Sequence, residues 1–275
     1  MYRSETIIYD SAHQRFPALD ELREILRYRS LVVQIVRRDI LTRYKRSILG
    51  VAWTMLNPLG TMIVLTIAFS RAFGSTEAYS AFLLSGLISW TFFSQTTNAA
   101  ISHLVWGEGL LKRIYVPRTV FAVSAIGTGL VNLVLSIIPL FIVMLVTGVP
   151  LRWTIVLMPV PILFLALFSL GIGLTISAIA VFYTDVAEMY QIVLTAWLYL
   201  TPIIYPESIL PEAYRKWILL LNPMYHLVRI FRAPIYEGKV PDLTEVLLAG
   251  GVSLAVLLIG WVFFTSKADE FAYRV

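Results

Sequence analysis

Arg37-Arg38-Asp39-Ile40-Leu41-Thr42-Arg43-Tyr44-Lys45-Arg46-Ser47-Ile48-Leu49-Gly50 leads into Val51-Ala52-Trp53-Thr54-Met55-Leu56, and the change of character at Arg46 decides the fold class. Charge stops there, and no residue in 47–70 is ionisable. That run meets the roughly 20 residues needed to cross a bilayer core. Upstream, Val33, Val36, Ile40, Tyr44 and Ile48 recur at three- and four-residue steps, the period of one helix face. The cations Arg37, Arg38, Arg43, Lys45 and Arg46 fall mostly on other faces. The expectation is a basic helix along the membrane surface, continuing without a break into the first span. Two roles are open for Arg37, Arg38, Arg43, Tyr44, Lys45 and Arg46. They form a topological anchor that holds the N-terminus in the cytoplasm, or in addition a moving interfacial gate.

Composition agrees. Of 275 residues, 58% are hydrophobic and 14% charged, with a mean hydropathy of +0.78. A soluble domain could not bury so much apolar surface, so an all-α integral membrane protein is expected. The net charge is +5, but ten of the 22 Lys and Arg residues lie in 1–46. The basicity is therefore local and fits lipid headgroups rather than nucleic acid. With no Cys, disulfides and thiolate metal sites are excluded. The first 30 residues have no apolar core behind a basic start, so no cleaved signal peptide is expected.

Six spans are predicted, at about 47–73, 79–105, 119–147, 153–182, 187–205 and 246–264, with both termini in the cytoplasm. Residues 1–46 form a cytoplasmic tail and amphipathic interfacial helices, with Ser30 available to cap the second of them. Residues 47–275 form one transmembrane domain. Between the fifth and sixth spans, 206–241 holds two apolar pieces too short to cross, separated by Asn222-Pro223, which read as external re-entrant half-helices. The second span has a polar centre, Ser94-Gln95-Thr96-Thr97-Asn98, and Asn57-Pro58 interrupts the first. Such residues either glue helices together or line a wet path. Thr128, Asn132 and Ser136 make a polar stripe on the third span, and Ser169, Gly171, Gly173, Thr175 and Ser177 a small-residue surface on the fourth. Trp90 and Phe93 share one helix face, and Tyr190 and Trp197 another, with Tyr199 following. Aromatic faces can stack on sugar rings or simply pack helices. Asn57, Trp90, Phe93, Gln95, Asn98, Tyr190, Trp197 and Tyr199 are thus the candidates for a translocation path.

No G-x-x-x-x-G-K-[ST] phosphate loop occurs, so ATP hydrolysis by that mechanism requires another subunit. Span interiors lack the ionisable groups that ion-coupled carriers use as relays. His13, His103 and His226 are widely separated, and no nucleophile-and-base or paired-acid motif accompanies them. No catalytic, cofactor-binding or metal-binding residue is predicted in this chain.

Arg43-Tyr44-Lys45-Arg46-Ser47-Ile48-Leu49-Gly50 through Leu56-Asn57-Pro58-Leu59 resembles the entry signature of type-2 ATP-binding-cassette exporter permeases, which move O-antigen, capsular polysaccharide or teichoic acid. Leu111-Lys112-Arg113-Ile114-Tyr115-Val116-Pro117-Arg118 is similar to that family's first coupling loop. Phe182-Tyr183-Thr184-Asp185-Val186 is similar to its fourth-to-fifth connection, departing at Thr184, where a basic residue is expected. Tyr199-Leu200-Thr201-Pro202-Ile203-Ile204-Tyr205-Pro206 with Leu221-Asn222-Pro223 is similar to its external re-entrant region. The resemblance implies a homodimer with two ATP-binding subunits, which carry the ATP and Mg. It also implies a lipid-linked polysaccharide substrate, a bacterial plasma membrane, and coupling contacts at Glu108, Leu111, Lys112, Arg113, Tyr115, Pro117 and Asp185. The alternative is an exporter of a smaller lipid or drug on the same architecture, and beyond it a stand-alone channel.

Overall fold

The computed structural model describes residues 17–45, 47–50, 52–73, 78–105, 117–268 and 270–273. Among them are ten α-helices and no strand. The helices are α1 Pro17–Arg27, α2 Arg29–Tyr44, α3 Ala52–Phe73, α4 Tyr79–Val105, α5 Thr119–Val146, α6 Pro159–Phe182, α7 Val186–Leu200, α8 Glu212–Leu221, α9 Pro223–Arg232 and α10 Leu243–Lys267. A 3₁₀ turn at Trp153–Leu157 leads into α6, and a π turn at Ala233–Glu237 extends α9.

Among the described residues, four segments are long and apolar enough to cross a membrane: Ala52–Phe73, Thr119–Val146, Trp153–Phe182 and Leu243–Lys267. The α4 helix has 27 residues, about 40 Å at 1.5 Å per residue, and its polar centre lowers its hydropathy. Its position explains how that polarity is tolerated, because α4 packs against α3, α5, α6 and α9. The α7 helix has 15 residues, about 22 Å, which falls short of a bilayer core of about 30 Å.

Small residues bring α6 and α10 together. A Cβ added at Gly171 would lie 2.5 Å from the carbonyl oxygen of Val256, and one at Gly260 would strike the carbonyl of Gly171. Gly173, on another face of α6, comes close to Ala100 of α4. The small-residue surface read from sequence thus serves two neighbours, as expected where close packing takes the place of a hydrophobic driving force.

Two local readings are corrected. The basic helix does not continue into α3: α2 stops at Tyr44, Lys45 is extended, and residues 48–50 bend before Ala52. Gly50 supplies the turn with φ +48°, a value that favours glycine, and its N–H donates to Ser47 Oγ at 3.1 Å. Nor does Ser30 cap α2. The helix already begins at Arg29, and Tyr28 at the N-cap makes no side-chain cap.

The inward face of α2 is also rotated from the predicted stripe. Ile35 is buried against Val120 and Phe121 of α5, with Leu31 and Val32 beside it, while Val33 is 66% exposed. Contact with α5 selects this face, since Ile35 and Val32 lie one turn apart while Val33 points away.

Two ends of the bundle follow from these contacts. At one end, Thr119 Oγ1 donates to Glu21 Oε1 of α1 at 2.8 Å, and Phe271 packs on Phe182 and Phe264 beneath the Arg118 guanidinium. At the other, Tyr79 OH donates to the Ile204 carbonyl at 2.7 Å and Thr154 Oγ1 to that of Pro234, also at 2.7 Å.

Candidate functional site

The polar centre of α4 divides by helix face. Toward α7, Thr97 Oγ1 accepts a 2.9 Å hydrogen bond from Tyr190 OH, and Asn98 Oδ1 accepts one from Gln191 Nε2. The Asn98 amide also donates to the Ser94 carbonyl at 2.8 Å. These bonds hold a helix that is otherwise sparsely covered, with only Tyr190 and Leu194 of α7 buried.

Toward α3 and α5, Gln95 opens onto a crevice instead. A cavity of about 490 Å³ is lined by Trp53, Thr54 and Asn57 of α3, Thr91, Phe92 and Gln95 of α4, and Asn132 and Ser136 of α5. A second cavity, of about 400 Å³, shares Gln95, Gly129 and Asn132 with the first and runs to Asp39 and Thr42 of α2 and His103 of α4. The α5 stripe at four-residue spacing therefore meets the α4 centre across a polar groove. Gly129 permits the approach, since a Cβ there would collide with the Thr96 side chain.

At the α2 end of this groove, Asp39 Oδ2 is 3.4 Å from His103 Nε2, while Asp39 Oδ1 accepts from Arg38 Nη2 at 3.0 Å. The approach to His103 is close enough for attraction but does not meet hydrogen-bond geometry.

The aromatic candidates separate by burial. Trp90 and Phe93 are buried, and their rings form edge contacts with Trp197 at centroid distances of 6.3 and 5.3 Å, closed off by Phe168. Tyr190 is buried as well, whereas Tyr199 is 62% exposed. Trp197 also has a polar tie, because its Nε1 donates to Asn222 Oδ1 at 2.8 Å.

Asn222 is a junction the sequence marked only as a break. Its Oδ1 also accepts from the Met224 N–H, capping α9, while its Nδ2 donates to Thr201 Oγ1 at 2.9 Å. Pro223 at the first helical position completes the start of α9.

The same end carries a charged cluster that the sequence reading did not single out. Arg232 is buried, donates to the Pro202 and Ile203 carbonyls at 2.7 and 2.9 Å, and stacks over Phe82 at 3.7 Å. Burial pulls its guanidinium down to about 10, so it stays charged at neutral pH. Arg229 pairs with Glu245 at 2.7 Å and donates to Tyr225 OH at 2.6 Å. Tyr225 is pushed up to about 12, chiefly by burial and then by the nearby Glu207 carboxylate. A cation i, i+3 from another on a short helix between two breaks was the available signal.

Of the other predicted residues, Arg37 and Arg38 are exposed on α2, Lys45 is exposed beyond it, and only the backbone of Arg43 and Tyr44 is described. Arg46, Glu108, Leu111, Lys112, Arg113 and Tyr115 lie outside the described residues. Pro117 is buried just before α5, and Asp185 is exposed at the N-cap of α7. Both belong to the end of the bundle where α1 and α2 lie, linked through Arg118, Phe271 and Phe182.

Residues 30–236 match the family model described as ABC-2 type transporter. The chain is 32% identical to the O-antigen export system permease protein RfbA of Myxococcus xanthus, over 92% of this chain and 98% of that protein. It is 24% identical to an RfbA of the same description from Klebsiella pneumoniae, over 88% and 93% of the respective lengths. It is also 23% identical to the polysialic acid transport protein KpsM of Escherichia coli, over 84% and 91%.

Proposed function

This chain belongs to the ABC-2 type transporter family, and on that premise we propose that it is the membrane permease subunit of an exporter moving a lipid-linked polysaccharide out of the cytoplasm. The observation that carries the reading is similarity along nearly the whole length of an O-antigen export permease. Similarity to a polysialic acid transport protein favours a polysaccharide over a smaller lipid or drug.

The chain has no phosphate loop, so ATP and Mg bind a separate subunit. The proposed assembly is a homodimer with two such subunits in a bacterial plasma membrane. Six spans place both termini in the cytoplasm: the four long apolar segments, α4, and α7 with its continuation to Tyr205. The α8 and α9 helices, ten residues each, form the external re-entrant pair, followed by the last span. Residues 1–46 act as the interfacial element and 47–275 as a single permease domain.

ATP-driven closure of the partner subunits pushes on the segment containing Glu108 and Arg113, on the Asp185 turn and on α2. The push opens a path between the first and fifth spans of the two copies. The bareness of α3 and α7 supports this arrangement. Of α3 only Pro58 and Met62 are buried, and Ile67 of α3 and Ile192 of α7 are exposed.

The test is reconstitution and genetic loss together. The purified chain should hydrolyse no ATP above a contaminant control, and co-expression with its ATP-binding subunit should restore hydrolysis. Deleting the chain should leave polysaccharide inside the cell. Hydrolysis by the isolated chain, or normal surface polysaccharide without it, refutes the assignment.

A further inference from the structure

The groove between α3, α4 and α5 has a chemistry of its own. The polar groups of the larger cavity, among them Asn57, Gln95, Asn132 and Ser136, are amides and hydroxyls, and among the described residues no Lys, Arg, Asp or Glu lines it. Such a wall offers nothing to neutralise a phosphate or hold a cation, and with Ile88 and Leu133 beside the amides and hydroxyls it has both polar and apolar faces, as a sugar ring does. Its volume of about 490 Å³ falls within the roughly 300–1,000 Å³ of small-molecule sites. Trp53 contributes an aromatic ring at the edge and Phe92 another, and such rings stack on the apolar face of a sugar.

Unpartnered groups give a second, independent observation. Thr128 is only 7% exposed and lines the smaller cavity, and its hydroxyl has no hydrogen-bond partner. Asn132 Oδ1, which borders both cavities, has none either. A buried polar atom left without a partner is destabilising, and helix packing alone does not require two of them side by side. Neither atom has exposed surface, so a hydroxyl-rich ligand supplies what both lack once each side chain turns toward the cavity it borders.

We infer that this groove, inside one copy of the chain, is a binding site for a single neutral, hydroxyl-rich sugar unit, reached from the α2 end past Asp39 and His103. The inference rests on the polysaccharide reading and adds to it a place where the transporter reads one sugar before the polymer moves. Gln95 and Asn132 bind its hydroxyls, Trp53 covers its apolar face, and Gly129 keeps the two cavities joined. Within the larger cavity the lining, uncharged among the described residues, selects against a charged sugar.

The chain contains no cysteine, so Ser136→Cys and Thr91→Cys each create a sole thiol in the larger cavity. Val134→Cys, whose native residue is 57% exposed on the other side of α5, is the control. Each variant is kept in its complex with the ATP-binding subunit in native membranes, from cells that make the polysaccharide and from cells in which its synthesis is blocked. A small water-soluble methanethiosulfonate is the probe.

Labelling at Ser136→Cys and Thr91→Cys should be rapid without polysaccharide and several-fold slower with it, and Gln95→Ala should remove that protection. Val134→Cys, on the lipid side of the span, should stay unlabelled in both membranes, so that labelling reports the crevice and not general leakiness. Equal rates with and without polysaccharide at both crevice positions, or no labelling at either, overturn the proposal, the latter because the crevice is then closed to water. These outcomes are separable from failure of the export reading, which is decided by whether surface polysaccharide persists when the whole chain is deleted.

Discussion

Tyr199 and Trp197 lie two positions apart on α7 and answer different questions. Trp197 is an anchor: its ring packs on Trp90, Phe93 and Phe168, and its N–H holds Asn222. Removing it opens a cavity and releases the cap of α9, and Phe- or Trp-to-Ala changes in cores cost about 3–5 kcal/mol. Tyr199 contributes an exposed ring, and its backbone carbonyl, which accepts from Tyr205 OH at 2.7 Å, survives substitution. Tyr199→Ala should therefore leave thermal stability within about 0.5 kcal/mol of wild type while slowing polysaccharide export. Trp197→Ala should lower stability and export together. A stable Tyr199→Ala protein with undiminished export would remove Tyr199 from the translocation path. Sequence spacing placed Trp90 and Phe93 on one face correctly, but only their neighbours decide that the face is enclosed by α6 and α7.

At the scale of elements, the α6–α10 contact is the clearest test of the bundle. Gly171 and Gly260 meet backbone to backbone, so a side chain at either position has no flexible neighbour to displace. Gly171→Val should destabilise the protein by about 1–3 kcal/mol, the usual cost of overpacking, read as a lower melting temperature in detergent. Gly251, whose added Cβ would meet nothing within 4 Å, should accept Ala with no loss of stability from packing. Equal effects of the two substitutions would contradict this interface. The small-residue pattern was legible in the sequence because glycine and serine at helical spacing are costly unless a neighbour comes close. The end of α2 was less legible. Arg46 to Val51 contains no proline, and the turn depends on the backbone of Gly50, whose φ no hydropathy pattern reports.

For the whole molecule, the question is how force from a partner reaches the membrane. The α2 helix, Pro117 and Asp185 gather at one end of the bundle, and Asp39 on α2 faces His103 in the last turn of α4, a few residues before Glu108 and Arg113 in the sequence. Glu108→Gln and Arg113→Ala should leave membrane insertion and complex assembly intact, keep ATP hydrolysis, and reduce polysaccharide export per ATP hydrolysed. Unchanged export in both variants at matched expression would show that these side chains are not coupling contacts. The sequence by itself determined that the chain is an all-helical membrane protein and that Asn222-Pro223 divides two short helices. These are properties of local composition and backbone chemistry, which act wherever the residues sit. Only the tertiary structure decided that Gln95 faces a groove while Asn98 binds Gln191, that Asp39 turns inward while Arg38 stays outside, and that Arg232 is buried under Phe82. Successive helix positions differ by about 100°, and in a bundle whose outer faces meet lipid the outward faces are as apolar as most of the inward ones. Hydropathy then cannot choose among the faces, and the choice falls to the neighbour each one meets.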